Sequence, residues 1–443
     1  MENSAPRPNN FEEAFAQKIA AETIAEKNPN SEVNKKKREK KALKIIIIVA
    51  SVLILLGLLA YFLFFFDSSP VHISWFDPPE SEEETELSPA EETAPEALKE
   101  NLKKYYSTLS GEEISAETEN SSPTFCVQIP NGVDGARPQA GLNDAKVVFE
   151  AIAEAGITRF AAIFQNPTAT AIGPIRSLRI YYFDWDSPFD CTVTHAGGAP
   201  DAISALNSST LGNLDENYTY MWRSDANASL NRLWNNLFTS SELLKKYSED
   251  KSRLSSDVSA FPHWTPEESE LEKIKTQVVE KLDIDSEASG DTDELSPKIT
   301  KISLDISYPT FNPVYTYNKE TNSYDRSYAS GVKHEVYNCT EENVKTPEVD
   351  CGGLVQLSPK VVIAMMVQEG KQSDNYHEDI STVGAGDAYI FENGTVIEGT
   401  WEKSSKNAQI IFRDKDNYEI KLNPGQTWIT AVPVSYGGSV TYE

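Results

Sequence analysis

Four arginines and one histidine stand out between residues 137 and 200 of an otherwise acidic chain. Arginine binds carboxylate or phosphate through two parallel hydrogen bonds. A Gly-rich turn that leads into a helix offers backbone N–H groups to the same anion, and Gly197–Gly198 precede a helix predicted from Pro200. The sequence therefore predicts an anion-binding pocket. Its candidate ligand-binding residues are Arg137, Gln139, Arg159, Arg176, Arg179, His195, Gly197 and Gly198.

An enzymatic use of the same region is the alternative. His195 would act as a general acid or base, and the arginines would stabilise developing negative charge. The carboxylates that could orient its ring are Glu150, Glu154 and Asp201. The sequence has no GxSxG, HExxH or catalytic cysteine motif, so it indicates an acid–base group without naming a nucleophile.

A structural role for these side chains is the third interpretation. Arg159 lies inside an apolar segment, where an unpaired guanidinium would be costly. It requires a carboxylate, and Glu150 and Glu154 share one face of the preceding segment in either a strand or a helix. Buried arginine–glutamate pairs often organise a core without taking part in catalysis.

Metal ions and cofactors are not expected. The sequence has no CxxC and no His/Cys cluster, and Asp184 and Asp186 with His195 match no metal-ligand spacing. Cys339 and Cys351 are 12 positions apart around a polar loop, and we predict a disulfide between them. It would stabilise the fold by about 3 kcal/mol in the loop-entropy model. Four cysteines allow three pairings, so the connectivity stays open.

The location of the chain is indicated by an uncharged segment of 22 residues, 45–66. At about 1.5 Å per residue this segment spans the roughly 30 Å hydrocarbon core of a bilayer. Seven cations precede it between residues 35 and 44, so the N-terminus is predicted to be cytosolic and the rest extracellular. A cleaved signal peptide, the competing interpretation, would be shorter and nearer to the N-terminus.

The charge of the chain narrows its possible partners. The formal net charge is −28; residues 1–44 hold 10 Lys/Arg and 7 Asp/Glu, a net of +3, which leaves −31 on residues 45–443. Binding to nucleic acid needs a basic surface. No nucleic-acid partner is therefore expected, although a local arginine cluster could still bind one anionic group.

The elements that must position these residues follow from hydropathy patterns. Residues 1–44 are predicted to be a largely disordered cytosolic tail, 67–122 an acidic stalk, and 268–298 a helix followed by an acidic linker. In 123–267, two apolar runs flank Ala155–Gly156 and favour a hairpin, with a helix ending at Gly156 as the alternative for the first run. Helices are predicted at 175–185 and 230–247. Residues 299–443 are strand-rich. The predicted fold class is α+β: a transmembrane helix, a domain of mixed sheet and helices, and a mainly β domain.

Aromatic residues of the strand-rich region permit a second kind of site. They could form a surface on which sugar rings stack, although aromatic residues also simply favour strands. These residues are Tyr315, Tyr317, Tyr324, Tyr328, Trp401 and Trp428.

Several ordered motifs of the chain resemble the DUF3048 family. They are ARPQAGL (136–142), GITRF (156–160), GPIRSLR (173–179) and HAGG (195–198), followed by GTW (399–401) and NPGQTW (423–428). The resemblance covers both folded regions, so 123–267 and 299–443 correspond to the N- and C-terminal domains of the family. This chain departs from the family pattern at Pro130, where an acidic residue is expected, and in its transmembrane anchor.

The resemblance implies a location but no reaction. Members of the family look like extracytoplasmic bacterial proteins that are usually attached to the membrane. The expected partner is therefore an envelope polymer, such as a peptidoglycan peptide carboxylate or a wall-polymer phosphate, or an envelope protein. The expected function is binding of such a component, and a hydrolase or transferase that acts on the envelope is the alternative.

Overall fold

Two apolar segments, Val147–Glu154 and Ile157–Gln165, form an antiparallel hairpin around which the other strands are arranged. Its turn residues, Ala155 and Gly156, both adopt positive φ angles. The hairpin prediction is therefore confirmed, and the alternative of a helix ending at Gly156 is wrong. The computed structural model describes residues 103–224, 235–270, 299–339, 351 and 353–443.

The N-terminal part of the described chain alternates strands with short helices. Its α-helices are α1 (Ile180–Asp186), α2 (Pro200–Asn207) and α3 (Ser241–Asp250). Its strands are β1 (Tyr105–Tyr106), β2 (Glu113–Ile114), β3 (Thr124–Pro130), β4 (Val147–Glu154), β5 (Ile157–Gln165), β6 (Thr192–Thr194), β7 (Gly212–Leu214), β8 (Trp222–Arg223) and β9 (Leu237–Phe238).

The C-terminal part consists mainly of strands, as predicted. They are β10 (Lys301–Asp305), β11 (Pro313–Asn318), β12 (Ser323–Tyr328), β13 (Glu335–Tyr337), β14 (Leu354–Gln356), β15 (Val361–Val367), β16 (Glu369–Lys371), β17 (Glu378–Ile380), β18 (Gly384–Glu392), β19 (Thr395–Lys403), β20 (Ile411–Asp414), β21 (Thr427–Pro433) and β22 (Ser439–Tyr442). Residues 418–422 form only isolated bridges. The fold class is α+β and dominated by sheet.

Both parts contribute to one ten-stranded sheet. Its strand order is β20-β19-β18-β15-β21-β4-β5-β3-β6-β7. Strand β21 pairs in parallel with β4, with Trp428 opposite Val148, so the sheet continues across the two predicted domains. All described residues belong to one compact unit. A second sheet has the order β12-β11-β10-β22, and β16 pairs with β17 in a separate hairpin.

The central strands are apolar on both faces, which explains their continuous hydrophobic runs. Val147 and Phe149 of β4 point into one core cluster, and Val148 points into the other. Helix α1 covers the first face, where Trp185 stacks on Phe149 with ring centroids 5.4 Å apart. Apolar side chains therefore pack against both faces of the hairpin.

Two helix predictions need correction. Helix α1 begins at Ile180, because the backbone N–H groups of Ile175 and Arg176 donate to the carbonyl oxygens of Leu237 and Gln128 instead of forming a helical turn. The helix predicted at 230–247 overlaps β9. Helix α3 begins only after Ser240, whose hydroxyl accepts a hydrogen bond from the Leu243 N–H at 3.2 Å.

The folded part begins before residue 123. Residues 103–122, within the predicted stalk, contain β1 and β2, and Leu109 is buried in the core. Cys339 is disulfide-bonded to Cys351, and Cys126 to Cys191. Within the described ranges, no helix is long and apolar enough to cross a bilayer. The predicted transmembrane segment 45–66 and the predicted cytosolic tail lie outside them.

Candidate functional site

A fully buried ion pair joins the two parts of the chain. Nη2 of Arg326, in β12, donates to Oε2 of Glu150, in β4, at 2.7 Å, and both side chains are 0% exposed. The second oxygen of Glu150 accepts from the Thr158 hydroxyl at 3.1 Å. Burial alone would lower the pKa of Arg326, but Glu150 and the neighbouring tyrosines raise it above its ordinary value. The Glu150 carboxylate is therefore already paired with the Arg326 guanidinium.

Arg137 and Gln139 lie in the same buried network. Nε of Arg137 donates to Oδ1 of Asn131 at 2.8 Å, and its guanidinium lies 3.7 Å from the centre of the Tyr328 ring. The Gln139 side chain donates to the Pro130 carbonyl oxygen at 3.0 Å and contacts His334 Nε2. Both residues therefore bind protein groups, Gln139 in the interior and Arg137 at a half-buried position.

His334 completes this network and stays neutral. One ring nitrogen contacts Arg326, and the other lies 3.0 Å from the side-chain oxygen of Gln139. Burial, and then the charges of Arg326 and Arg137, hold the pKa of His334 well below its ordinary value. The sequence patterns did not predict His334 or Arg326 as site residues. Their partners are distant in the chain, so no local pattern pointed to them.

A second ion-pair cluster lies at the turn end of the β4–β5 hairpin. Glu154 accepts from Nη2 of Arg159 at 3.2 Å and also contacts Arg179. Nη1 of Arg159 donates to the Ser177 carbonyl oxygen at 2.6 Å. The carboxylate that Arg159 requires is thus Glu154, across the hairpin. Two predicted anion-binding arginines are bridged by a carboxylate of the same chain.

Arg176 is half-buried and separate from the buried network. Its Nε donates to Oδ1 of Asn235 at 3.1 Å. Burial, and then the neighbouring positive charges of Arg159 and Arg223, lower the pKa of Arg176. The four arginines therefore divide among three environments and do not converge on one hollow.

His195 is buried, and both ring nitrogens contact protein oxygens. Nδ1 lies 2.9 Å from the Gly197 carbonyl oxygen, and Nε2 lies 2.9 Å from the side-chain oxygen of Asn213. The nearest carboxylate to Nδ1 is Asp215, at 3.6 Å. The ring has no hydrogen bond to any of the three carboxylates named as its orienting groups, all of which lie in the described part of the chain.

The glycine turn is occupied by the protein's own groups. The Gly197 N–H donates to Oδ1 of Asp215 at 2.7 Å, and Gly198 forms a β-bridge with Leu178. At the start of α2, the Asp201 carboxylate accepts from the Ala202 N–H and from the Gln372 side chain. The turn therefore binds a carboxylate, as its chemistry predicts, but that carboxylate is intramolecular.

Metal binding finds no support in the residues described. They contain no group of three or more His, Cys, Asp or Glu that could hold a metal ion. Asp184 accepts from the Thr382 hydroxyl at 2.6 Å, and Asp186 accepts from the Gln128 amide at 2.9 Å. These two carboxylates bind neighbouring side chains.

An open cleft of about 460 Å³ lies beside the second ion-pair cluster. Four segments line it: the turn Ala155–Gly156, residues 305–308, the β16–β17 hairpin and residues 436–438. Tyr308 is 60% exposed and Tyr436 is 49% exposed. We call this hollow the tyrosine cleft. Its volume lies within the range of about 300–1,000 Å³ that is typical of small-ligand sites.

Three charged residues line the tyrosine cleft: Lys371 and Glu378 of the β16–β17 hairpin, and Asp305. Glu378 pairs with Lys371, and the Tyr436 hydroxyl lies 3.5 Å from Oε2 of Glu378. Glu369, next to them, is buried, and neither of its oxygens has a hydrogen-bond partner in the described chain. Burial, and then the Glu378 charge, raise the pKa of Glu369 to about 8, although Lys371 opposes this. Glu369 is therefore mostly protonated at neutral pH.

The rim of the cleft is held by local contacts. Ser307 Oγ donates to the Gly156 carbonyl oxygen at 2.5 Å, and the Asn312 side chain accepts from the Ser307 N–H at 2.7 Å. Gly156 has a φ of 77°, and a Cβ there would lie 2.5 Å from the Tyr308 ring. Glycine is therefore required for the close approach of Tyr308, and the tyrosine ring sits on a fixed loop.

The six aromatic residues do not form an exposed stacking surface, and the alternative that they simply favour strands is supported, because all six lie in strands. Tyr317 is partly buried, and the other five aromatic residues are buried: Tyr315, Tyr324, Tyr328, Trp401 and Trp428. The aromatic side chains at the cleft are Tyr308, in a loop, and Tyr436, at the end of a short 3-10 helix. Tyr308 and Tyr436 were missed because they lie outside the strands, and the sequence does not show which connecting segments line a cleft.

A β-dominated α+β unit with one continuous sheet and an open cleft is thus the class of protein that the structure defines. The family description "Protein of unknown function (DUF3048) N-terminal domain" matches residues 109–255, and the corresponding C-terminal domain matches residues 304–429. These two segments make up more than half of the 443 residues. The chain belongs to the DUF3048 family.

A curated relative and a solved structure agree with this assignment. The chain is 28% identical over 345 residues to "Putative lipoprotein YerB" of Bacillus subtilis (strain 168), which covers 76% of this chain and 89% of the relative. It is also similar to the crystal structure of the YerB protein from Bacillus subtilis, with a TM-score of 0.58 and 23% identity. That match covers 76% of this chain and 99% of the other, and it shows the shared fold.

Proposed function

We propose that this protein is anchored in the cell membrane by residues 45–66 and binds a component of the bacterial envelope with its extracellular folded unit. The uncharged segment and the seven cations before it support a single span with a cytosolic N-terminus. The name of the Bacillus subtilis relative, a lipoprotein, supports attachment to the outer side of a membrane.

The observation that carries the binding role is the tyrosine cleft. It combines an open hollow, two exposed aromatic side chains and a charged pair, Lys371–Glu378, on one wall. Ligand sites typically combine apolar or aromatic surface with a few convergent polar groups. The arginines predicted to bind an anion give less support, because Arg159 and Arg179 already share Glu154.

Membrane topology is tested by adding protease to intact cells that carry an epitope at the N-terminus. We expect the folded unit to be digested and the epitope to remain protected until the cells are lysed. Protection of the folded unit in intact cells would contradict the extracellular location.

Binding at the cleft is tested with the full-length protein in detergent and purified cell-wall sacculi in a co-sedimentation assay. Ala155→Trp places a large ring in the cleft, and we expect it to reduce binding at least tenfold. Asn417→Trp, at another turn position with positive φ, is the matched control and should bind normally. If the wild-type protein does not bind sacculi, or if Ala155→Trp binds as tightly as the wild type, the proposal fails.

A further inference from the structure

We infer that the ligand of the tyrosine cleft is an uncharged glycan segment whose sugar rings pack against Tyr308 and Tyr436. This inference rests on the proposed envelope-binding function and adds the chemical class of the ligand. Three properties of the cleft carry it: the charge of its lining, its exposed aromatic surface and its fixed hydrogen-bonding groups.

The charge of the cleft disfavours an anionic ligand. Its lining holds Asp305 and Glu378 against one cation, Lys371, and that cation is already paired with Glu378. A phosphate or carboxylate would enter an acidic environment on a part of the chain, residues 45–443, whose net charge is −31. A cationic ligand would have to compete with Lys371 for Glu378. An uncharged ligand is not repelled by the acidic lining and does not compete with Lys371 for Glu378.

The aromatic surface fits sugar rings. Tyr308 and Tyr436 are the exposed tyrosines of the cleft, and aromatic rings carry a large apolar surface with a negative face. The C–H groups on one side of a pyranose ring can pack against such a face while its hydroxyl groups point away. The hydrogen bond from Ser307 to Gly156 holds the loop that carries Tyr308, so this loop needs little ordering when a ligand binds.

The polar groups of the cleft suit hydroxyl groups. Glu378 supplies acceptors, Lys371 supplies donors, and the Tyr436 hydroxyl can do both. The turn that carries Tyr436 is tied to the hairpin, because Ser435 Oγ donates to the Gln368 side chain at 2.8 Å and accepts from the Glu369 N–H at 3.1 Å. Donors, acceptors and aromatic surface are therefore held together before a ligand arrives.

The test uses a tetrasaccharide of β-1,4-linked N-acetylglucosamine as the uncharged probe and isothermal titration calorimetry of the full-length protein in detergent. We expect the tetrasaccharide to bind, to displace sacculi, and to lose at least tenfold in affinity in the Tyr308→Ala/Tyr436→Ala variant. The Phe/Phe variant keeps both rings and should stay within about threefold of the wild type. Tyr418→Ala, at a tyrosine that is 72% exposed outside the cleft, should leave binding unchanged.

The outcomes separate this inference from the proposed function. If Ala155→Trp abolishes sacculus binding but the tetrasaccharide neither binds nor competes, the cleft is the site and the glycan assignment is overturned. Binding of poly(glycerol phosphate) in the cleft in place of the tetrasaccharide overturns it as well. Equal affinity of the Ala/Ala variant and the wild type, with both folded by circular dichroism, shows that the tyrosines do not form the platform and also contradicts it.

Discussion

The buried Glu150–Arg326 ion pair links the two family domains through one side chain from each. Its two members are 176 positions apart and come from the two domains of the family. Removing one partner of a buried ion pair leaves an uncompensated charge in the interior, which typically costs about 3–5 kcal/mol. The pair therefore constrains how the four-stranded sheet, which contains β12, packs against the ten-stranded sheet, which contains β4.

We predict that Glu150→Gln and Arg326→Met each lower the free energy of unfolding by about 3–5 kcal/mol. The double variant should lose less than the sum of the two, because no unpaired charge remains buried. Urea denaturation of the three variants gives this double-mutant cycle. Lys246→Ala, which removes an exposed i,i+4 pair with Asp250, is the control and should change stability little. Additive losses would show that the pair has no special coupling.

Single residues could be predicted where the partner is close in sequence. The need of Arg159 for a carboxylate followed from its apolar surroundings, and Glu154 is that carboxylate. The pairing of Glu150 with Arg326 could not be predicted, because β4 and β12 belong to different sheets that meet only in the folded protein. The same limit explains the predicted anion pocket: residue types showed the chemistry, but the chain itself supplies the anions Glu154 and Asp215.

Among the elements, the β16–β17 hairpin has a pH-dependent stability built into it. Glu369 has a pKa of about 8 in the folded protein against 4.5 for an ordinary glutamate, because it is buried beside Glu378. Below pH 4.5 Glu369 is protonated in both the folded and the unfolded protein, so its ionisation does not change the free energy of unfolding. Between pH 4.5 and about 8 the unfolded chain ionises first, so stability is lost by about 1.4 kcal/mol per pH unit from this group.

We therefore predict that Glu369→Gln becomes more stable relative to the wild type as the pH rises from 5 to 8. Thermal or urea unfolding at several pH values measures the difference between the two proteins. Glu402→Gln, at an exposed glutamate, controls for the change in net charge. A difference that stays constant with pH would mean that Glu369 is already ionised in the folded protein.

Helix α3 is an element whose start could have been read from the sequence. Ser240 is a preferred N-cap type, and its hydroxyl accepts from the Leu243 N–H. We predict that Ser240→Ala lowers the free energy of unfolding by about 1 kcal/mol, while Ser241→Ala, one position later, costs clearly less. Chemical denaturation of both variants decides this. Equal losses of unfolding free energy in the two variants would show that the capping hydrogen bond of Ser240 is not the cause.

Apolar runs predicted the elements better than helical periodicity did. The β4–β5 hairpin and most C-terminal strands lie where continuous or alternating hydrophobic residues predicted them. Helix α1 was predicted too long, because residues before Ile180 bond to neighbouring segments that are distant in sequence. Periodicity records which residues are apolar, but it does not record which backbone groups find partners elsewhere.

At the scale of the molecule, the continuous sheet makes the two family domains one folding unit. Strands β21 and β4 pair in parallel, and parallel strands need burial on both faces. Val148 and Trp428, opposite each other in this pair, lie in the same core cluster. Each half alone would expose the unpaired backbone groups of one of these two strands, β4 or β21, together with a large apolar surface.

We predict that the two halves stay associated after the chain is cut between them. A specific protease site is inserted in 271–298, and the full-length protein is cleaved in detergent under native conditions. Neither disulfide joins the halves, because Cys126–Cys191 lies before the cut and Cys339–Cys351 lies after it. Any association is therefore non-covalent, and it rests on the β4–β21 pairing and on Glu150–Arg326.

Size-exclusion chromatography of the cleaved protein should give one peak that contains both fragments, and they should separate only in denaturant. Glu150→Gln, which leaves Arg326 unpaired at this junction, should lower the denaturant concentration at which the fragments part. Ser241→Ala, a change away from the junction, should leave that concentration close to that of the unsubstituted protein. Fragments that separate without denaturant would mean that each half folds alone and that the shared sheet contributes little to stability.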